Sequence, residues 1–433
     1  MKSETVKIGF WTATFMVIAN MVGTGIFTSL GFQVVDIPSG FPVLMLWVLG
    51  GVAALCGALT YGELGTALPR SGGEYHLLSR IMHPVLGFLS GWVSATVGFA
   101  APTALAAIAF ATYLATALPA VPVVHTAAAL VLFFTVLHGC SVWWGTRLTN
   151  VLTILKVLLL LVLIGSAYYV RVPQDVTPFP VPGDWGLIIT PAFAVSLVYV
   201  SFAYTGWNAA IYIVGEMESP RRDLTRALVL GTAVVFVLYT LVNYAFMYTV
   251  PFPELAGQIE VGYLSASKIF GEAGANLMAV TIALILTSTV SVMIYLGPRV
   301  VQVMGEDVPL LRSLSYKSAG GIPTYAMLVQ CALTLGFIYT ATFQQVLLYA
   351  GFTLNLITAL TVAGIFVSRH REPELERPYR TLGYPWPPII FLVLSAWSLS
   401  FMLVTRPEES LAGLATLMLG LVIYGADYLV RRA

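Results

Sequence analysis

Charge is what this sequence has least of. Only 9% of its 433 residues are Asp, Glu, Lys or Arg, against 58% hydrophobic ones. A soluble domain carries about 25% charged residues, so this chain has too few to cover a surface facing water. The same figures exclude a disordered chain, which needs high charge and low hydrophobicity. Neither sign dominates: 21 basic residues stand against 20 acidic ones. No basic tail marks a nucleic-acid partner, and none is expected. Cysteine is scarce as well. Cys56, Cys140 and Cys331 each lie alone in an apolar stretch, which leaves neither a disulfide framework nor a zinc ligand set. The histidines, His76, His83, His125, His138 and His370, have no metal spacing, so no metal or other cofactor is expected. What remains is an all-α integral membrane protein embedded in a lipid bilayer.

Long apolar runs are what the sequence has in abundance. A helix needs about 20 mostly apolar residues to cross the hydrocarbon core. Twelve stretches qualify: 8–32, 41–68, 85–118, 125–142, 151–169, 188–215, 225–249, 273–304, 324–339, 344–367, 388–404 and 411–429. The third and eighth are long enough to need tilt or an extension beyond the bilayer. Lys2 and Lys7 precede the first run, but it is too long for a signal-peptide core and is kept as a span. With the N-terminus in the cytoplasm, Arg171, Lys268 and Arg406 fall outside and Lys156 lies within the fifth span. Every other basic residue falls on the inner side. That asymmetry predicts cytoplasmic termini.

Two spans contain a break of the same kind. The first carries Val22-Gly23-Thr24-Gly25 in mid-span, and the sixth carries Tyr204-Thr205-Gly206-Trp207-Asn208. Glycine lowers helix propensity by about 1 kcal/mol relative to alanine, so unwinding is cheap there. Unwound backbone at membrane depth persists only where it is buried in protein or lines a cavity. Its freed N–H groups suit a carboxylate and its freed carbonyls an ammonium. Either break alone reads more readily as a close-packing surface. Together they are offset by five spans, which matches an inverted repeat of five plus five helices and marks a binding site.

At these residues the chain resembles the amino acid–polyamine–organocation superfamily of secondary transporters. Within it the likeness is to the L-type neutral amino acid exchanger branch and its bacterial relatives. The motifs are Val22-Gly-Thr-Gly-Ile-Phe27, Tyr61-Gly-Glu63-Leu-Gly65, Pro69-Arg-Ser-Gly-Gly-Glu74-Tyr75, Phe202-Ala-Tyr-Thr-Gly-Trp-Asn208 with Glu216 and Pro220, Gly297-Pro-Arg299, and Arg371-Glu-Pro-Glu-Leu-Glu-Arg377-Pro-Tyr379. The resemblance implies a fold of the leucine-transporter type with discontinuous helices 1 and 6. Residues 8–170 and 188–368 would be the repeats, and 386–430 two additional helices. It implies sodium-independent exchange of neutral amino acids in the cell (inner) membrane, with proton symport or a cationic substrate as alternatives. Substrate carboxylate would meet backbone at Gly23, Thr24 and Gly25. Its ammonium would meet carbonyls near Met21, Phe202, Ala203 and Thr205. Phe202 would be the gate, and Asn208 would hydrogen-bond nearby. The branch usually has glycine where this chain has Thr205. A β-branched residue there narrows the backbone and fills pocket volume, so small neutral side chains are expected.

Ionisable groups inside a span are costly and count as site hypotheses. Lys156 is the basic residue well inside one, though its stem is long enough to snorkel partway to the interface from near Asn150. In sodium-independent relatives a lysine here takes the place of sodium. The resemblance therefore implies that Lys156 ties the broken first helix to hydroxyls of span eight, Ser288 and Thr289. Glu63 is expected in a structural hydrogen bond, Asp427 and the histidines at interfaces or in loops, and Trp143, Trp144 and Trp386 in an aromatic belt. No acidic residue is evident near either break, which argues against a cationic substrate. A membrane enzyme lacks its motif here, and a channel lacks a filter. Relatives in this branch are joined to a glycoprotein through a cysteine between spans three and four. The loop 118–124 has none, so no disulfide-linked subunit is expected.

Overall fold

In lipid every backbone polar group must be satisfied within the protein, and helices do this locally. A computed structural model of the chain describes residues 7–140, 145–318 and 321–432, apart from the side chains of 145–153 and of 431 and 432. Lys2, Trp143 and Trp144, and the side chains of Arg147, Asn150, Arg431 and Arg432, lie outside the described residues.

The chain runs through α1 (Phe10–Met21), α2 (Thr24–Gln33), α3 (Gly40–Ala67), α4 (Gly73–Ile81), α5 (Pro84–Val93), α6 (Ala100–Ala117), α7 (Val123–Cys140) and α8 (Gly145–Ser166). It continues through α9 (Asp184–Ile188), α10 (Pro191–Tyr204), a 3₁₀ stretch (Ala209–Glu216), α11 (Pro220–Thr249), α12 (Phe252–Leu255) and α13 (Val261–Asp307). The last elements are α14 (Thr324–Thr340), α15 (Phe343–Arg371), α16 (Trp386–Thr405) and α17 (Pro407–Arg432). Among the described residues, ten helical segments are long and apolar enough to cross a membrane. Two shorter apolar helices, Ile154–Tyr169 and Thr324–Thr340, fall at the expected fifth and ninth spans. The fold is all-helical: the described residues hold one isolated bridge, between Ile8 and Met217.

The helices that carry the two over-long spans each have a local irregularity. Between α5 and α6 the helix loosens into a π segment, Ser94–Gly98. In α13 the helix is interrupted at Gly271, with φ 73° and ψ −176°. The residues before it, from Val261, form a separate helical segment of about three turns, and the expected span begins just after it.

Two helix starts that frame the bundle are capped by side chains. The Thr342 hydroxyl accepts from the Gln345 N–H while the Gln345 side chain accepts from the Thr342 N–H, a reciprocal box opening α15. Thr190 caps α10 through the Phe193 N–H, with Pro191 first in the helix.

Three expectations are corrected by burial. His138 is not at an interface: it is buried, and its Nε2 lies 2.9 Å from Ser291 Oγ of α13. Asp427 is buried too, its Oδ1 accepting from the Leu310 N–H at 3.1 Å. His138 Nε2 and Asp427 Oδ1 each meet a partner on a neighbouring element, as most buried polar groups do. The third correction concerns Glu74 and belongs to the site.

Candidate functional site

Both glycine-marked breaks are present. α1 ends at Met21, Val22 and Gly23 leave the helical region, and α2 resumes at Thr24. α10 ends at Tyr204, and Thr205 to Asn208 form turns before the 3₁₀ stretch. The breaks meet. A Cβ built on Gly25 would lie 2.5 Å from Ala203 Cα, so only glycine allows the two backbones this close. Gly206, at φ +100°, is equally tight against the Asn20 backbone, where a Cβ would lie 2.8 Å from the carbonyl carbon. Met21, Thr24, Gly25, Phe202 and Ala203 are therefore buried together, with Gly23, Thr205 and Asn208 half-buried beside them.

Several freed carbonyls already have partners. The Tyr239 hydroxyl of α11 donates to the Met21 carbonyl at 2.6 Å. The Phe202 carbonyl accepts the Thr205 N–H at 3.0 Å and the Thr205 hydroxyl at 2.6 Å. Thr205, the departure from glycine, thus caps the broken end of α10 with its own side chain. A carbonyl has two lone pairs, so Phe202 has no capacity left for an ammonium here; this differs from the role expected of it. Tyr239 and Trp47 stand edge-on behind the first break, ring centroids 5.7 Å apart.

Beside the second break lies a small cavity of about 40 Å³, lined by Ser201, Phe202, Thr205, Asn355, Thr358 and Ser395 among others. Asn355 Oδ1 accepts from Ser395 Oγ at 2.9 Å. The volume suits a few waters, at about 10–15 Å³ each.

Lys156 is buried in α8, and its ammonium donates to Thr289 Oγ1 of α13 at 3.1 Å. That is half of the expected tie: among the described residues, its recorded hydrogen bond reaches span eight and not the first helix. Ser288 is buried next door, but its hydroxyl donates to the Ile285 carbonyl.

An acidic residue does stand near a break, contrary to the sequence reading. Glu74, in the first turn of α4, is 6% exposed. Its Oε1 accepts from Tyr61 (2.6 Å), from Asn208 Nδ2 (3.1 Å) and from Thr358 (3.3 Å). Burial pushes its carboxyl above the usual carboxylate range, and these hydrogen bonds pull the other way. The Asn208 amide, expected to face substrate, spends an N–H on this carboxylate.

A second buried carboxylate lies at the end of α3. Glu63 is fully buried and takes a two-pronged contact from Arg369 (2.9 and 2.7 Å), the Thr381 N–H (2.6 Å) and Arg377 (3.3 Å). This is a structural clamp, with nothing of it reaching either break.

A family model described as amino acid permease matches residues 8–425. The chain belongs to the amino acid permease family. This permease is similar to the large neutral amino acids transporter small subunit 2 of Rattus norvegicus, 29% identical over 437 residues, covering 96% of this chain and 80% of the relative. It is also similar to two transporters of Mus musculus, each at 27% identity over 96% of this chain. One is the b(0,+)-type amino acid transporter 1, of which 87% is covered, and the other the Asc-type amino acid transporter 1, of which 80% is covered. It is a multi-pass membrane transporter, not an enzyme.

Two site residues of the permease escaped the sequence reading. Glu74 was visible only as part of a motif, since its partners are distant in the chain. Tyr239 gave no signal, being one aromatic residue in an apolar helix.

Proposed function

We propose that this permease exchanges small neutral amino acids by alternating access, without sodium, at the point where the two broken helices meet. The observation that carries this is the close approach of Gly25 to Ala203 and of Gly206 to Asn20 in a chain of this family. Paired interruptions at membrane depth present helix N-termini and free carbonyls to one zwitterion, and a neutral substrate needs no further charge. The N–H groups at Gly23, Thr24 and Gly25 would take the carboxylate. Carbonyls at Met21, Ala203 and Thr205 would take the ammonium, and Phe202 would close over it. We read the chain as crossing the membrane twelve times, a reading supported by the ten long apolar segments and the two shorter apolar helices. On this reading residues 8–170 and 188–368 are the two inverted repeats, and 386–430 holds two additional helices. The inner-side excess of basic residues supports cytoplasmic termini in the cell membrane. The absence of cysteine from 118–124 supports a carrier with no disulfide-linked subunit.

The deciding experiment is counterflow. Purified permease in sodium-free liposomes, preloaded with single amino acids, is expected to accumulate labelled L-alanine or L-serine saturably. No counterflow with any amino acid would sink the proposal.

Thr205 gives the selectivity a handle. It lines the small cavity, which supports a short substrate side chain. Thr205→Gly should admit leucine or phenylalanine as competitors with a gain of roughly 10-fold or more, the scale of one or two methylenes in an apolar pocket. Aromatic competitors already matching alanine in the parent protein would contradict it.

Lys156 supports sodium independence. Its ammonium stands against Thr289 as a fixed cation between helices. Removing one partner from a buried polar contact costs about 1–3 kcal/mol, so Lys156→Ala should lose roughly 10-fold or more of its counterflow rate. A wild-type rate in that variant would refute the role.

A further inference from the structure

We propose that Glu74 is a positioning residue for this site: one carboxyl group holds Asn208 of the second break to α3 and α15, and its protonation governs opening to the cytoplasm. The inference rests on the proposed carrier function and goes beyond it.

Glu74 is tied by one oxygen to three elements far apart in sequence, through Tyr61 of α3, Asn208 after α10 and Thr358 of α15. All three donors are neutral. Among the described residues no Lys or Arg stands within ion-pairing distance of it, whereas Glu63, two residues after Tyr61 on α3, has two arginines. Two buried carboxylates at one end of the bundle are thus treated differently. Glu63 is neutralised by cations, and Glu74 is held by hydroxyls and an amide that accommodate either protonation state.

The charges around Glu74 are committed elsewhere. On its own helix, Tyr75 donates to Asp307 and Arg80 pairs with Glu372. His76 is held below its ordinary value by burial and by Arg70 and Arg80. From α15, Arg369 is spent on Glu63. The Tyr212 ring packs on Gly73 from the 3₁₀ stretch, and α5 carries no titratable side chain.

Asn208 belongs to the segment that must move for substrate to leave inward. While the inner side is closed, the carboxyl is dry and its charged form is disfavoured. Opening admits water and favours the charged form, so a proton leaves as the gate opens. By linkage, higher pH favours the open side and lower pH the closed one.

The test is L-alanine counterflow by the full-length protein in liposomes, with matched internal and external pH varied from mildly acidic to mildly alkaline. The wild-type rate is expected to rise severalfold with pH. Glu74→Gln should give a flat profile near the wild-type acid rate, and Glu74→Asp should restore the rise. Tyr61→Phe removes a donor that stabilises the charged form, so the midpoint should move up by about one pH unit. A pH-dependent Glu74→Gln, or a wild type with no pH dependence, overturns the proposal. If Glu74→Gln does not purify as a monodisperse protein, the Tyr61→Phe midpoint decides, and an unmoved midpoint overturns it. A wild type that shows no counterflow at any pH refutes the carrier reading itself, an outcome separate from a carrier whose profile ignores Glu74.

Discussion

Gly25→Ala is expected to cut amino acid counterflow by roughly 10- to 100-fold in a protein that still folds. A Cβ there would sit 2.5 Å from Ala203 Cα and 2.7 Å from Ala203 Cβ. The obstacle is backbone of the facing broken helix, not the tip of a mobile side chain. Overpacking of this kind costs about 1–3 kcal/mol, and each 1.4 kcal/mol is about tenfold. The strain falls on the contact between the two breaks, so the substrate site suffers before the bundle does. Gly206→Ala should behave alike, because it adds positive-φ strain to a clash with Asn20. Counterflow beside thermal unfolding of the same preparation checks both. Wild-type transport in Gly25→Ala would mean that the breaks need not touch.

Glu63→Ala should be the most destabilising single change outside the site, by about 3 kcal/mol or more. Glu63 is fully buried, and Arg377 beside it is nearly so, at 6% exposed. Removing one member of a buried ion pair leaves the other charge uncompensated, which costs about 3–5 kcal/mol. Arg369 is partly exposed, so water relieves its share. Replacing both Glu63 and Arg377 with methionine should recover much of the loss, since a buried pair exchanged for apolar groups is often neutral. The measurement is the heat-induced unfolding midpoint in detergent for the three proteins. An unshifted midpoint in Glu63→Ala would show that the clamp contributes nothing.

What was legible in advance follows from how local the signal is. Apolar runs report helices because each helix satisfies its own backbone, and Gly23, Gly25 and Gly206 report breaks because glycine makes unwinding cheap. The capping of α10 by Thr205 was also within reach. A threonine that accompanies a helix end commonly bonds a carbonyl three or four residues back, and the Phe202 carbonyl is such a one. The partners of Glu74, His138 and Asp427 were not legible. Their contacts join residues 134, 153 and 117 positions apart, and no periodicity or composition links positions so distant.

The sequence by itself determined that this chain lives in lipid, where its helices lie, and that two of them are interrupted by glycine. It did so because hydropathy and propensity are properties of consecutive residues. Only the tertiary structure decided that the two interruptions touch, that Lys156 bonds Thr289 without a bond to the first helix among the described residues, and that the few acidic groups inside divide their work. Glu63 became a clamp and Glu74 a hydrogen-bonded hub beside the break. The physical reason is that burial and pairing are settled by which helices pack together. The same scarcity of charge that placed the chain in a membrane makes each buried carboxylate depend on its neighbours.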